Sequence, residues 1–162
     1  MTIELKEKIE ANEWIGYGNP EDILNLCDAE MEKYPQIECP VTHGFTPGLY
    51  IRTIHMPANS IITSLLHLTT HPYVVTKGEF SVWYHDKPTQ RIKAPYKGVT
   101  EAGTRRLLFI HEDTDWMTFH VTDKIDPDEI MEEITSNDFN PLIDKSNPKV
   151  NNWRNRKLEL TK

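Results

Sequence analysis

The sequence predicts a mainly β fold, an antiparallel sandwich or barrel with helices before and after it. Three observations predict it. Between Gly48 and Asp123 the chain is a succession of short runs rich in β-branched and aromatic residues. Gly, Pro, Asn and Asp punctuate those runs at the spacing of β turns. Helical periodicity with recognisable ends falls outside that region. At 162 residues the chain suits one domain with enough length to bury a real core.

In chain order, "IELKEKIEANEW" offers a short first helix. "GNPEDILNLCDAEMEKYPQ" then predicts a helix over 20–34. Asn19 suits the N-cap, Pro20 the first helical position, and Glu21 and Asp22 the positive end of the dipole. Ile23, Leu26, Cys27 and Met31 form its apolar stripe, and Pro35 closes it. The strands follow: "LYIRTIHM", the turn "PANS", "IITSLLHLTT", "YVVT", a Lys-Gly turn and "EFSVWY". After the turn "HDKPT" come "RIKAPYKGV", the turn "TEAGT", "RRLLFIH", the acidic turn "EDTD" and "WMTFHVT". "IITSLL" and "RLLFI" do not alternate cleanly, as expected of strands enclosed on both sides. Asp126 and Pro127 open a last helix over 127–135. The expected organisation is one domain over 1–140, its barrel at about 48–123, and a basic tail over 141–162. Trp153 is an odd residue to leave in water, so the tail is expected to dock on the barrel or on a partner chain.

Charge narrows the function classes. The net charge of −7 argues against a general nucleic-acid binder, which needs a basic footprint. From Pro141 onward six Lys/Arg face two Asp/Glu, a surplus of four that leaves −11 on the rest. The first residues lack the apolar core of a signal peptide, and no apolar run approaches the roughly 18 residues of a membrane span. Cys27 and Cys39 form no CxxC pair and read as buried thiols. The expectation is a cytoplasmic protein with no membrane partner.

"LLHLTTHPYVVTKG" carries the most chemistry. His67 and His71 have the i, i+4 spacing of two ligands on one helical face, about 6 Å apart. Pro72 and the β-branched neighbours disfavour a helix there. Along one straight strand the two would stand roughly 13 Å apart, too far to share an ion. The pair therefore fits a shared site if His67 ends one strand, "LTT" bends the chain, and His71 begins the next.

A histidine at a strand end, a ligand four residues on and then Gly78 resembles the first motif of the cupin superfamily. His67 matches that motif's second histidine and His71 stands at its glutamate, while Leu65 occupies the first histidine position. "EAGTRR" resembles the second motif around Gly103, with Arg106 at its histidine position and His120 available as a replacement ligand. The pattern is more similar still to cupin-like proteins commonly encoded by bacteriophages. The residues carrying that are His43, Phe45, Gly48, Tyr50 and Arg52; His67, His71 and Pro72; Ala94 to Tyr96; Gly103, Thr104 and Arg106; and Glu112 to Thr114, Trp116, Thr118 and His120. The match covers roughly residues 36–122.

The resemblance implies a jelly-roll β-barrel with a divalent transition metal (Zn, Fe, Ni or Mn) on His67, His71 and His120. The competing reading of these histidines is a hydrogen-bonded polar cluster without metal. Arg106, if it points inward, selects a small anionic ligand. Strand parity puts Arg105 on the opposite face, where an ion pair with Glu112 or Asp113 is expected. Tyr73 and Trp116 either stack on a planar ligand or pack the core. His43, Tyr50 and Arg52 either line the pocket rim or support helix packing. His55 and His85 read as surface or turn residues, and His111 as a distant partner of a ligand. Glu101, Glu112 and Asp113 are general bases only if one faces the histidines.

Three functions follow. The first is metal-dependent chemistry on a small anionic substrate. The second is a non-catalytic barrel that sequesters a nucleotide-like molecule, and the third a virion or host-interaction module. A homodimer is expected because open sheet edges invite pairing. A phage-encoded chain would act in the host cytoplasm.

Overall fold

The computed structural model describes residues 20–84 and 87–136, together with Glu7 and Ala11. The Asn19 cap, His85, Trp153 and the basic tail lie outside the described residues, as does most of the expected first helix.

Helix α1 spans Pro20–Met31, with Glu21 and Asp22 in its first turn. It ends three residues earlier than the sequence suggests. Lys33 and Tyr34 donate to the carbonyls of Glu30 and Met31, three residues back, which tightens the chain into a turn. Its inner face also differs from expectation. Leu24 and Cys27 are buried against Trp83, Leu107 and Phe109, whereas Leu26 is 71% exposed. Thr63 donates to Asp28 at 2.5 Å, and Arg105 pairs with Asp28 and Asn25, tying α1 to the sheet.

The strands are β1 Val41–Thr46, β2 Leu49–Met56, β3 Ile61–Thr63, β4 Leu66–His67, β5 His71–Tyr84, β6 Lys87–Lys93, β7 Tyr96–Thr100, β8 Leu107–Val121 and β9 Thr135–Ser136. They build a mainly β fold of jelly-roll type. The main antiparallel sheet runs β1-β2-β8-β5-β6, with β3 added to β8 and β7 added to β5. Strand β1 precedes the expected start at residue 48. Its half-exposed, polar "VTHGFT" lacks the apolar signal of a core strand because it lies on the sheet edge.

Two expected turns are bends within long strands. The Lys-Gly pair and the acidic "EDTD" lie inside β5 and β8, which pair along most of their length. Their register shifts between Val75 and Phe80, and Gly78 sits there at φ +93°. A Cβ on Gly78 would lie 2.4 Å from the Asp113 carbonyl oxygen and 2.7 Å from the Thr114 Cα. Only glycine lets the two backbones approach so closely at a positive φ. The turn-like polar residues are there because the bend faces solvent.

The bend lets one pair of strands serve both halves of the fold. The first half of β5 pairs with β7 and the second half with β6. The first half of β8 pairs with β3 and the second with β2. Conversely, "IITSLLHLTT" divides into β3 and β4, and "RIKAPYKGV" divides at the cis Ala94–Pro95 bond. Inside, Val75, Phe80, Val82, Ile110 and Trp116 form the main apolar cluster.

Helix α2 spans Pro127–Ile134, capped by the Asp126 carboxylate, which accepts from the amides of Asp128 and Glu129. It ends one residue before the expected 135, because Thr135 pairs with His67 in the short β4–β9 ladder. Ile130 and Ile134 pack on Tyr50, so α2 closes the end of the fold where the histidines lie.

Candidate functional site

Strand parity points one set of side chains inward: Tyr50 and Arg52 on β2, His71, Tyr73 and Val75 on β5, and Trp116, Thr118 and His120 on β8. The ladder places Tyr50 opposite His120, and both Arg52 and Tyr73 opposite Thr118. His67 joins them from β4. The "LTT" bend between β4 and β5 is fastened to the turn before β8. His67 donates its amide to the Thr104 carbonyl at 3.0 Å, and Gly103 donates to the His67 carbonyl at 2.7 Å. The Thr70 hydroxyl accepts the Ala102 amide at 3.1 Å and donates to Glu101.

The rings of His67, His71 and His120 are neighbours. Ring centroids lie 4.9 Å apart for His67 and His71, and 4.3 Å apart for His71 and His120. His71 and His120 are 3% and 4% exposed. His71 Nδ1 lies 3.0 Å from the Thr69 carbonyl. A carbonyl only accepts, so Nδ1 carries the proton and Nε2 is a bare lone pair. The Thr118 hydroxyl lies 3.4 Å from the Arg52 carbonyl and 3.0 Å from His120 Nε2. The contact holds the ring by its Nε2 edge, and Nδ1 meets no partner. His67 Nδ1, His71 Nε2 and His120 Nδ1 are all buried without a hydrogen-bond partner.

Burial and positive neighbours keep these rings neutral. His67 is pushed well below the usual histidine range, first by burial and then by the Arg106 guanidinium. His71 is lowered by burial against the pull of the Thr69 carbonyl. His120 is lowered to about 4 by burial, with His71 and Arg52 adding to the effect. Neutral imidazole is the ligating form.

Arg106 is 4% exposed. Its Nη2 donates to Thr100 Oγ1 at 2.5 Å, and Thr100 stands opposite His71 in the β5–β7 ladder. Its Nε is buried without a partner. The rings of Tyr73, Tyr84 and Trp116 surround the guanidinium at 5.5, 5.8 and 5.3 Å. Tyr73 and Trp116 stack on each other at 4.5 Å, and Tyr73 lies across Gly98 so closely that a Cβ there would meet its hydroxyl at 2.6 Å. Both aromatics thus wall the interior and brace the arginine. Arg52, on the inner face of β2, has its pKa lowered by burial.

Other expected residues fall elsewhere. His43 is exposed on β1, and its Nδ1 meets the hydroxyl of fully buried Tyr50 at 2.7 Å. Tyr50 is therefore part of the interior beside His120, not of a rim. Arg105 faces outward as parity requires, but its carboxylate is Asp28 on α1, which packing brings closer than Glu112 or Asp113. His111 bonds Ser81 at 2.8 Å on the outer face under α1 and cannot support a ligand. His55 pairs with Asp115 at 2.7 Å. Leu65 is 43% exposed and lines an outer cleft of about 260 Å³ with Asp28 and Arg105. Glu101, Glu112 and Asp113 are exposed, so none faces the histidines. Sequence reasoning missed Thr100, whose inward position was readable only as the end of the "YKGVT" alternation.

The donor chemistry fits an imidazole-held divalent cation, because three neutral rings each keep a buried nitrogen free. Among the described residues, no three His, Cys, Asp or Glu side chains are already arranged to hold a metal ion. No described Asp or Glu is buried, so the buried charge among the described residues is positive.

No family model matches the chain, and no curated protein matches it. Among solved structures, it is similar to a cupin-2 domain containing protein from Shewanella frigidimarina, at 11% identity and TM-score 0.42, over 59% of this chain and 92% of that one. It is similar to an RmlC-like cupin family protein with a double-stranded β-helix fold from Methanocaldococcus jannaschii, at 11% identity and TM-score 0.42, over 60% and 91%. An acetylacetone dioxygenase from Acinetobacter johnsonii is similar at 16% identity and TM-score 0.43, over 54% of this chain and 65% of that one. The similarity is one of general fold and carries no ligand or reaction across.

Proposed function

We propose that this protein is a cupin-type barrel that holds a divalent transition metal on His67, His71 and His120 and a small anionic ligand beside Arg106. One observation carries the reading: three adjacent imidazoles, two of them buried and the third half-buried, each keep one buried ring nitrogen without a partner. A buried polar atom left unpaired costs about 1–3 kcal/mol, so three together mark a binding site more readily than a core. Imidazole suits Zn, Fe, Ni or Mn. When bound, such a metal polarises a substrate oxygen or activates water. The chain's own residues do the rest. Thr69 and Thr118 orient the rings, Arg106 anchors the anionic group, and the stacked Tyr73 and Trp116 shield the guanidinium from water.

A second reading, capture of a small anion without catalysis, is favoured by one feature. No described carboxylate is buried near the histidines to serve as a general base. On the motif resemblance alone, we further propose a phage-type protein acting as a homodimer in the cytoplasm.

Elemental analysis of the purified protein tests the metal. Stoichiometric Zn, Fe, Ni or Mn is expected, and full metal content in a His71→Ala variant overturns the assignment. Mass analysis of small anions released on denaturation separates the two readings. An intact ligand indicates capture, and a chemically altered one indicates catalysis.

A further inference from the structure

Arg106 is a buried cation with no anion beside it among the described residues. Its Nη2 bonds the neutral Thr100 hydroxyl, and its Nε reaches no acceptor. Three aromatic rings soften the charge without cancelling it. Among the described residues, neither Arg106 nor Arg52 is paired with a carboxylate. Thr100, which Arg106 bonds, stands opposite His71 in the β5–β7 ladder. A divalent cation on the three neutral histidines would add two more positive charges in an interior of low dielectric. Among the described residues, no buried carboxylate balances that charge.

We infer that the ligand brings the missing negative charge: the interior is a receptor for a small oxyanion of the carboxylate or phosphate class, anchored by the Arg106 guanidinium, and metal and anion bind as a linked pair. The inference rests on the metal reading proposed above. A guanidinium presents a planar fork of donors that matches carboxylate and phosphate oxygens alike. Linkage is reciprocal, so the factor by which the anion tightens the metal is the factor by which the metal tightens the anion. Arg106 therefore acts as a selector. It repels a bare cation and admits one that arrives with, or after, its anion.

The test is calorimetric titration of Ni²⁺ into metal-stripped protein in an oxyanion-free buffer. It is repeated with succinate and, separately, with inorganic phosphate, each at concentrations that leave the Ni²⁺ uncomplexed. One of the two should lower the Ni²⁺ dissociation constant by about 5–150-fold, the usual span of such coupling, and which one acts assigns the class. In a folded Arg106→Gln variant, checked by circular dichroism, Ni²⁺ alone should bind more tightly than in the wild type. The anion effect should shrink there to about twofold or less, whereas Arg106→Lys should keep it. A merely structural role would weaken both ligands together. Equal Ni²⁺ affinity with and without both anions, or a full anion effect in Arg106→Gln, overturns the linkage while the metal reading stands. Absence of Ni²⁺ binding in every buffer overturns the metal reading and the linkage with it.

Discussion

His71 and His120 lie with ring centroids 4.3 Å apart, and each keeps one buried nitrogen without a partner. The Thr69 carbonyl holds one proton and the Thr118 hydroxyl orients the other ring. Such outer partners fix ligand orientation. Thr118→Val keeps the shape and removes the hydroxyl, leaving the Nε2 edge of His120 without its tie. Metal affinity is expected to fall about 10–100-fold in calorimetry, as for other outer-shell losses. Unchanged affinity would show that Thr118 does not orient the ring.

Neutral histidines make the metal-free protein sensitive to acid. Unfolded histidine titrates near 6.5, whereas folded His120 titrates at about 4 and His67 and His71 are also depressed. Between those values the unfolded chain binds protons that the folded chain does not, so unfolding is favoured as pH falls. Stability should be flat above about pH 7 and drop from about 6.5 towards 4, by up to about 1.4 kcal/mol per pH unit for each ring. Urea midpoints measured across that range check it. His120→Asn should shallow the slope, and an unaltered slope would remove His120 from the explanation.

Gly98 is expected to tolerate no side chain. A Cβ would meet the Tyr73 hydroxyl at 2.6 Å and its Cζ at 2.7 Å, so Gly98→Ala must displace the ring that stacks on Trp116 and braces Arg106. Overpacking of this kind costs about 1–3 kcal/mol. In a Tyr73→Ala background the same change should cost much less, a non-additivity that urea denaturation of the double variant reads directly.

The two neighbouring arginines should behave oppositely. Arg105→Ala removes the ion pair that ties α1 to the sheet and should cost about 1 kcal/mol while leaving metal content unchanged. Arg106→Met removes an unpaired buried charge and should leave stability in anion-free buffer unchanged or raised by about 1–2 kcal/mol. Thermal unfolding of both variants checks this, and a large loss in Arg106→Met would mean that the guanidinium is already compensated.

Much of this was legible in the chain. The period-2 pattern marks the inward set on β5 and β8, and parity alone separates Arg105 from Arg106. Pro72 rules out the helical reading of His67 and His71, and Pro127 with Asp126 marks α2 almost to the residue. What misled was local polarity. "KG" and "EDTD" read as turns because turn residues and solvent-facing bulge residues are the same residues. Leu26 looked like core because its spacing suits a stripe, but the sheet meets α1 along Leu24 and Cys27 instead. Edge strand β1 offered only Val41 and Phe45, too weak an apolar signal to mark a strand.

The sequence by itself determined the mainly β class and the capped start of α2, because period, capping and turn chemistry are local properties. Only the tertiary structure decided which charges are balanced. Asp28 reaches Arg105 across 77 positions of chain, while no described carboxylate is buried beside Arg106. Pairing of charges depends on distance through space, which local pattern does not encode. That distance makes one arginine a structural tie and leaves the other open to a ligand.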